Sequence, residues 1–332
     1  MNVVIDGRPL VGHRTGIGTH TAEIARRLTP APLIATHAPI DDKSGIEQCR
    51  FRVDAMPYGV LWQQLVLPRI ARDGVLWGPH GTIPLALRAP AVITLHDFTS
   101  LTMPGRHRLQ TILSFDLFIG RSLQRAARIA AVSRAVAEQA KRWFAVDCEI
   151  VPNGVDDFFT PGDGAEDDFI LFAGTREPRK GIDDLIAVWS SLPMPRPRLV
   201  LAGGEGWSVH IPEGVEVTGY VTRERLRELY RRAQLFVYPS RFEGFGIPPL
   251  EAMACGAAVI ATRTGAIPEY AEGAALLVDP GDREALREAM IRALGDAALR
   301  QELRVRAAER ATHYRWERSA ALMSELLREA AR

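Results

Sequence analysis

The sequence predicts an α/β protein built from two doubly wound domains, and three observations carry that expectation. Short apolar runs alternate with longer helix-patterned stretches along almost the whole chain. Most of the runs are uninterrupted, as in strands of a parallel sheet buried on both faces. The alternation breaks once, at residues 156–168, where DDFFTPGDGAEDD brings Pro161, Gly162, Gly164 and many acids without periodicity, a linker pattern. The length of 332 residues fits about two domains.

The first series of strands is expected at Val3–Ile5, Leu33–Thr36, Val75–Trp77, Val92–Leu95, Ile129–Val132 and Glu149–Val151. The second is expected at Phe169–Ala173, Leu199–Ala202, Val215–Thr218, Leu235–Tyr238, Ala258–Ala261 and Ala275–Val278. Helical patterns lie between many of them, at Ile17–Leu28, Leu109–Ala127, Arg134–Phe144, Ile182–Ser190, Arg223–Ala233 and Arg283–Leu294. Strand–helix alternation places parallel sheets between helical layers. The expected domains are residues 1–158 and 166–314, with a hinge near Thr160–Ala165. The last block, 315–332, carries a helix, Trp316–Ala331, that packs on the second domain or returns to the first. Two such domains facing each other leave a cleft at the carboxyl ends of both sheets, where ligands of open α/β sheets bind.

Composition narrows the function classes. Hydrophobic residues make up 47% and charged residues 24%, an ordinary globular balance. The net charge of +1 gives no global pull toward nucleic acid. Cys49, Cys148 and Cys255 form no CxxC pair and are expected as reduced thiols. The N-terminus opens on a strand pattern, Asn2–Asp6, without the marks of a signal peptide. No apolar run approaches the roughly 20 residues of a membrane helix. A cytoplasmic protein is therefore expected.

Four loops at strand ends carry chemistry. Tyr238-Pro-Ser-Arg-Phe-Glu-Gly-Phe-Gly-Ile-Pro-Pro-Leu-Glu251 follows a strand and opens a helix near Pro248-Pro249. Gly244 and Gly246 allow close backbone approach, and the helix start is an anion site. Glu243 and Glu251 suit sugar hydroxyls; the alternative is a helix start decorated with stabilising acids. Phe172-Ala-Gly-Thr-Arg-Glu-Pro-Arg-Lys-Gly181 brings Arg176, Arg179 and Lys180 between two glycines, which fits a diphosphate or a solvated basic loop. It lacks Walker A spacing. Gly12-His-Arg-Thr-Gly-Ile-Gly-Thr19 contains Gly16 and Gly18, but Thr21 stands where a dinucleotide fingerprint needs glycine. Thr94-Leu-His-Asp97 offers His96 and Asp97 to a substrate hydroxyl, or a histidine bonded to a backbone carbonyl. His80, in Gly78-Pro-His-Gly81, is a similar candidate.

These residues resemble a known family. Glu243-Gly-Phe-Gly-Ile-Pro-Pro-Leu-Glu251 looks like the E-x7-E motif of retaining GT-B glycosyltransferases of family 4 (glycosyl transferases group 1), and the similarity continues through Ala252–Ile260. Collinear matches are Ala131–Ser133, Val151–Asp156, Gly203-Gly204, Thr218–Tyr220 and Ala274–Pro280. The resemblance implies a GT-B fold and a nucleotide-diphosphate-sugar donor. It implies that Glu243 contacts the donor hexose, and that backbone around Phe245, Gly246 and Ile247 holds the sugar and distal phosphate. Glu251 would bind the ribose; Lys180 with Arg179 or Arg176 would hold the diphosphate. Gly16 and Gly18 would let the first-domain loop approach the donor, and His96 would contact the transferred sugar. No metal and no cofactor are implied. Thr175 stands where many members carry arginine, and Gly174–Lys180 resembles the mannosyltransferase- and rhamnosyltransferase-like branch. That favours GDP-mannose and leaves UDP- and dTDP-sugars open.

The implied reaction is hexosyl transfer with retention, by front-face attack of an acceptor hydroxyl. The acceptor is a glycan, a lipid-linked molecule or a small molecule. Arg121, Arg125, Arg128, Arg134, Lys141 and Arg142 fit either a solvated exterior or peripheral contact with the inner membrane face. The alternatives are an epimerase-like enzyme on the same architecture and a non-catalytic nucleotide-sugar-binding protein.

Overall fold

A computed structural model describes residues 2–12, 14–102, 118–163, 165–207 and 210–332. It divides into two compact units. One joins residues Met1–Gly154 to Trp316–Arg332; the other spans Val155–Arg315.

The first unit is built on seven parallel strands: β1 (Val3–Asp6), β2 (Leu33–Thr36), β3 (Arg50–Val53), β4 (Val75–Gly78), β5 (Ala91–Leu95), β6 (Arg128–Ala131) and β7 (Glu149–Ile150), in the order β3-β2-β1-β4-β5-β6-β7. The strand order reverses between β1 and β4. All residues of β1, β4 and β5 are buried, as expected of strands that read as unbroken apolar runs. β3 is absent from the sequence expectation because Arg-Phe-Arg-Val is an exposed edge strand with charges at alternate positions.

The helix Trp316–Ala330 belongs to this unit and lies against β4, β5 and β6. It buries Trp316, Ala320, Met323 and Leu327, one face at helical spacing. Each large apolar side chain of that kind contributes about 1.5–3 kcal/mol. Arg27 pairs with Glu317 at 2.7 Å and Arg128 with Glu329 at 3.0 Å.

The second unit has six parallel strands: β8 (Asp167–Ala173), β9 (Arg198–Ala202), β10 (Val215–Gly219), β11 (Ala233–Tyr238), β12 (Val259–Thr262) and β13 (Leu276–Val278). Their order is β10-β9-β8-β11-β12-β13, reversing between β8 and β11. A helix at Ala297–Ala311 was not expected from the sequence. Its buried stripe includes Arg300 and Arg304, so the apolar period is interrupted. Arg300 donates to the Ala293 carbonyl at 2.8 Å, and Arg304 to the Ala233 carbonyl at 2.8 Å. Both pair with Glu166.

Residues 156–160 of the stretch read as a linker, with Val155 just before them, are held by this unit. Val155 N–H donates to the Tyr314 carbonyl at 2.9 Å, Phe159 is buried edge-on to Tyr230, and Arg231 donates to the Thr160 carbonyl. The acids and glycines hid these contacts, because within residues 156–162 only Phe159 is apolar and buried.

The basic region 121–144 is not one helix. Residues 118–125 are helical, β6 intervenes, and a helix follows at Arg134–Phe144. Arg125 donates to the Leu87 carbonyl, Arg128 pairs with Glu329, and Lys141 pairs with Asp147. The part of the expected helix at 109–117 lies outside the described residues. Among the described residues, no helix is long and apolar enough to cross a membrane.

Candidate functional site

The richest site of the second unit lies where its strand order reverses. β8 and β11 are neighbours, so the loops that leave their carboxyl ends emerge side by side, at the place where open α/β sheets bind ligands. The β8 loop ends in a short 3-10 turn, Pro178–Lys180, before the helix Ile182–Ser190. The β11 loop runs from Pro239 to Gly246 and leads into the helix Ile247–Ala254.

Lys180 and Glu243 meet there. Each is 8% exposed. Lys180 Nζ lies 2.6 Å from Glu243 Oε1 and 2.6 Å from the Tyr238 hydroxyl oxygen. Tyr238 OH and Ser240 Oγ donate to the same Oε1 at 3.0 and 2.7 Å. Arg179 Nη1 stands 3.4 Å away, while its Nε pairs with Glu177 at 2.7 Å. Oε2 of Glu243 accepts no hydrogen bond among the described residues. Burial alone would push the Glu243 carboxyl up, but Lys180 and Arg179 hold it at about 2. Burial lowers Lys180, and Glu243 opposes that shift. A buried ion pair contributes little net stability against apolar residues of equal volume, so packing does not account for this one.

Neighbouring elements brace the loop. β12 flanks β11, and its loop supplies Thr264, whose Oγ1 accepts from Glu243 N–H at 3.3 Å, and Ala266, whose N–H donates to the Gly244 carbonyl at 3.1 Å. Thr262 Oγ1 donates to the Ser240 carbonyl. Arg241 N–H donates to the Arg179 carbonyl at 2.7 Å, and its side chain pairs with buried Asp184 at 2.7 Å. Tyr238, Ser240 and Thr264 were not singled out in the sequence. Tyr238 reads there as the last residue of a buried strand, and no spacing marks the other two.

Other expected residues have separate places. Arg176 pairs with Glu205 of the β9 loop at 3.3 Å. Phe245 is buried against Tyr270 at 5.4 Å between ring centres. Gly246 offers its carbonyl to Tyr270 OH at 2.7 Å, and Ile247 begins the helix. Pro248 and Pro249 remove two of the four free N–H groups expected at that start, so it offers an anion fewer donors than the sequence implied. Glu251 accepts from Tyr230 OH at 3.1 Å. Burial pushes its carboxyl up to about 7 against that bond.

In the first unit, His96 follows β5. Its Nε2 stands 2.9 Å from the Pro79 carbonyl. A carbonyl only accepts, so the proton sits on Nε2 and Nδ1 keeps a lone pair. Burial lowers His96 to about 3, helped by His80, so the ring is neutral at pH 7. The carbonyl bond coexists with an accepting atom that has no hydrogen-bond partner among the described residues. Asp97 is committed to Thr99, accepting from its N–H at 2.9 Å and from its hydroxyl. His80 is exposed. Gly16 opens the helix Gly16–Ala25. Gly18 serves packing within the unit, because a Cβ there would stand 2.6 Å from the Pro9 carbonyl oxygen. His20, not singled out in the sequence, is fully buried on the same helix; its Nδ1 bonds Asn153 Oδ1 at 2.7 Å, and its ring meets His96 edge-on at 4.7 Å.

Comparison with known proteins follows the same two halves. The family model described as Glycosyltransferase Family 4 matches residues 14–157, and the one described as Glycosyl transferases group 1 matches residues 156–313. The chain is similar to O-antigen chain mannosyltransferase B of Escherichia coli, 28% identical over 96% of this chain and 97% of that protein. It is also similar to O-antigen chain mannosyltransferase RfbU of Salmonella typhimurium, 29% identical over 71% and 69%. Its fold matches that of Anabaena Alr3699/HepE, solved in complex with UDP and glucose, with a TM-score of 0.79, 19% identity and 99% coverage of both chains. Two Rossmann-like units, each matched by its own model, make this chain a GT-B hexosyltransferase that belongs to glycosyltransferase family 4.

Proposed function

We propose that the protein transfers mannose, with retention, from GDP-mannose to a hydroxyl of a glycan acceptor. The observation that carries this reading is the buried Lys180–Glu243 pair at the strand-order reversal of the second unit. Its mannosyltransferase relatives favour the sugar. Lys180 and Arg179 neutralise the diphosphate as the bond from the anomeric carbon to the phosphate oxygen breaks. The acceptor oxygen bonds to that carbon from the same face, and the leaving oxygen takes the acceptor proton. Glu243 Oε2 accepts from donor-sugar hydroxyls, His96 Nδ1 from another, and Glu251 from the ribose. The protein mainly positions the reactants, with no metal or cofactor. On this reading it works in the cytoplasm, and a lipid-linked glycan would bring it to the inner membrane face.

A UDP-sugar donor is the second reading, favoured by the Anabaena protein solved with UDP and glucose. The test is a screen of GDP-, UDP- and dTDP-sugars for donor turnover, with the product's anomeric configuration read by NMR. Turnover of GDP-mannose with an α product is expected, and Lys180→Ala should lower kcat/KM by about 100-fold or more. A β product, or near-normal turnover in Lys180→Ala, overturns the reading.

A further inference from the structure

The first unit has its own strand-order reversal, between β1 and β4, and a polar cluster sits there that the roles assigned so far leave unused. β1 ends on Asp6, a carboxylate at 0% exposure. Arg8 meets it as a fork, Nε 2.9 Å from Oδ1 and Nη2 2.7 Å from Oδ2. Gln63, at 1% exposure, donates to Asp6 Oδ2 at 3.1 Å and to the Thr82 carbonyl at 2.9 Å. The buried carboxylate thus fixes both the guanidinium plane and the glutamine amide. The remaining corner of the fork, Arg8 Nη1, has no partner among the described residues, and the side chain keeps 12% exposure.

Register places this corner among the other chemistry of the unit. β1 pairs with β4 and β4 with β5, so the turns after them stand in a row: Asp6–Arg8, Gly78–His80 and Leu95–Asp97. His96 bonds the Pro79 carbonyl. His80 is exposed and lies within electrostatic reach of Arg8, Asp6 and Asp97. A clip that only closed the β1 turn would not need a desolvated carboxylate, which is costly to bury, nor a guanidinium edge left bare.

Charge selects the ligand class. The row sets one arginine against two carboxylates, Asp6 and Asp97, and its histidine, His80, is lowered chiefly by desolvation and mostly neutral at pH 7. The row has no positive excess with which to hold a phosphate. It does offer donors and acceptors together, as sugar hydroxyls require. We propose that Arg8 and His80, with Arg8 held in place by Asp6 and Gln63, form an acceptor subsite that binds hydroxyls of a neutral carbohydrate beside His96. Arg8 and His80 are binding residues; Asp6 and Gln63 are positioning residues.

The inference rests on the glycosyl-transfer reading, and its test separates the two. Saturation-transfer NMR is run on the full chain loaded with GDP, with α-mannobiose and with mannose 6-phosphate as probes, and GDP affinity is measured by calorimetry. The wild-type protein should bind mannobiose in preference to the phosphorylated sugar. Arg8→Gln should weaken mannobiose at least tenfold while GDP affinity stays within twofold. Arg8→Lys, which keeps the charge but not the fork, should lose mannobiose to a similar extent and guards against a folding defect. Unchanged mannobiose binding in both variants, a tenfold preference for mannose 6-phosphate, or no binding of either sugar by wild type overturns the subsite. Failure of wild type to bind any nucleotide overturns the donor reading instead.

Discussion

Glu243 and Glu251 begin from the same side chain and are driven in opposite directions by what surrounds them. Glu243 has two cations and stays ionised down to about 2. Glu251 has one tyrosine hydroxyl against its burial and rises to about 7. An acid whose folded value exceeds the ordinary one of about 4.3 keeps a proton in the folded state that the unfolded chain releases. Glu251 therefore lowers stability as pH rises between about 4.3 and 7. A ribose needs the ionised, accepting form, so nucleotide affinity should move the other way. Calorimetry with GDP should show affinity falling about tenfold from pH 8 to pH 6 as that form is lost, and Glu251→Gln should flatten the profile. A flat wild-type profile would contradict the assignment. The carboxylates, Arg179 and Lys180 were legible in the sequence because glycines and prolines bracket them. Tyr238 and Ser240 were not, because what matters about them is that their hydroxyls converge on one oxygen, and a linear pattern does not show convergence.

Loops are positioned by the strands they leave. β8, β11 and β12 are adjacent, so three turns pack into one another at their carboxyl ends. Gly265 shows how tightly. Its φ is +56°, and an added Cβ would stand 2.2 Å from the Glu243 carbonyl oxygen. Gly265→Ala should cost about 1–3 kcal/mol, seen as a lowered melting temperature. It should also reduce kcat/KM roughly as far as moving Glu243 would, about 100-fold for a displacement on the order of 1 Å. An unchanged melting temperature and turnover would show that the loop does not need this contact. The strands around the site were legible because each holds an unbroken apolar run, Phe169–Ala173, Leu235–Tyr238 and Val259–Ala261. β3 and the helix Ala297–Ala311 were not: one is a charged edge, and the other buries arginines where a helix usually buries leucine.

The chain forms two units, and the final helix returns to the first. Deleting residues 316–332 removes Trp316, Met323 and Leu327 from the first unit's core and should unfold that unit. The second unit keeps all its strands. Calorimetric scanning of residues 1–315 should lose one transition and retain one that GDP raises; loss of both would show that the units do not fold separately. The sequence announced two domains through the single break in its alternation. Its boundary at 314/315 lies within one residue of the second crossing, Arg315–Trp316, but the first crossing, Gly154–Val155, carries no compositional mark. At those crossings Val155 and Arg315 form a parallel bridge, so the entrance and exit of the second unit lie side by side. Topologically that unit is an insert with its two ends sealed together. Such a cassette can be exchanged between relatives at two cuts, leaving the strands and the final helix of the first unit as they are.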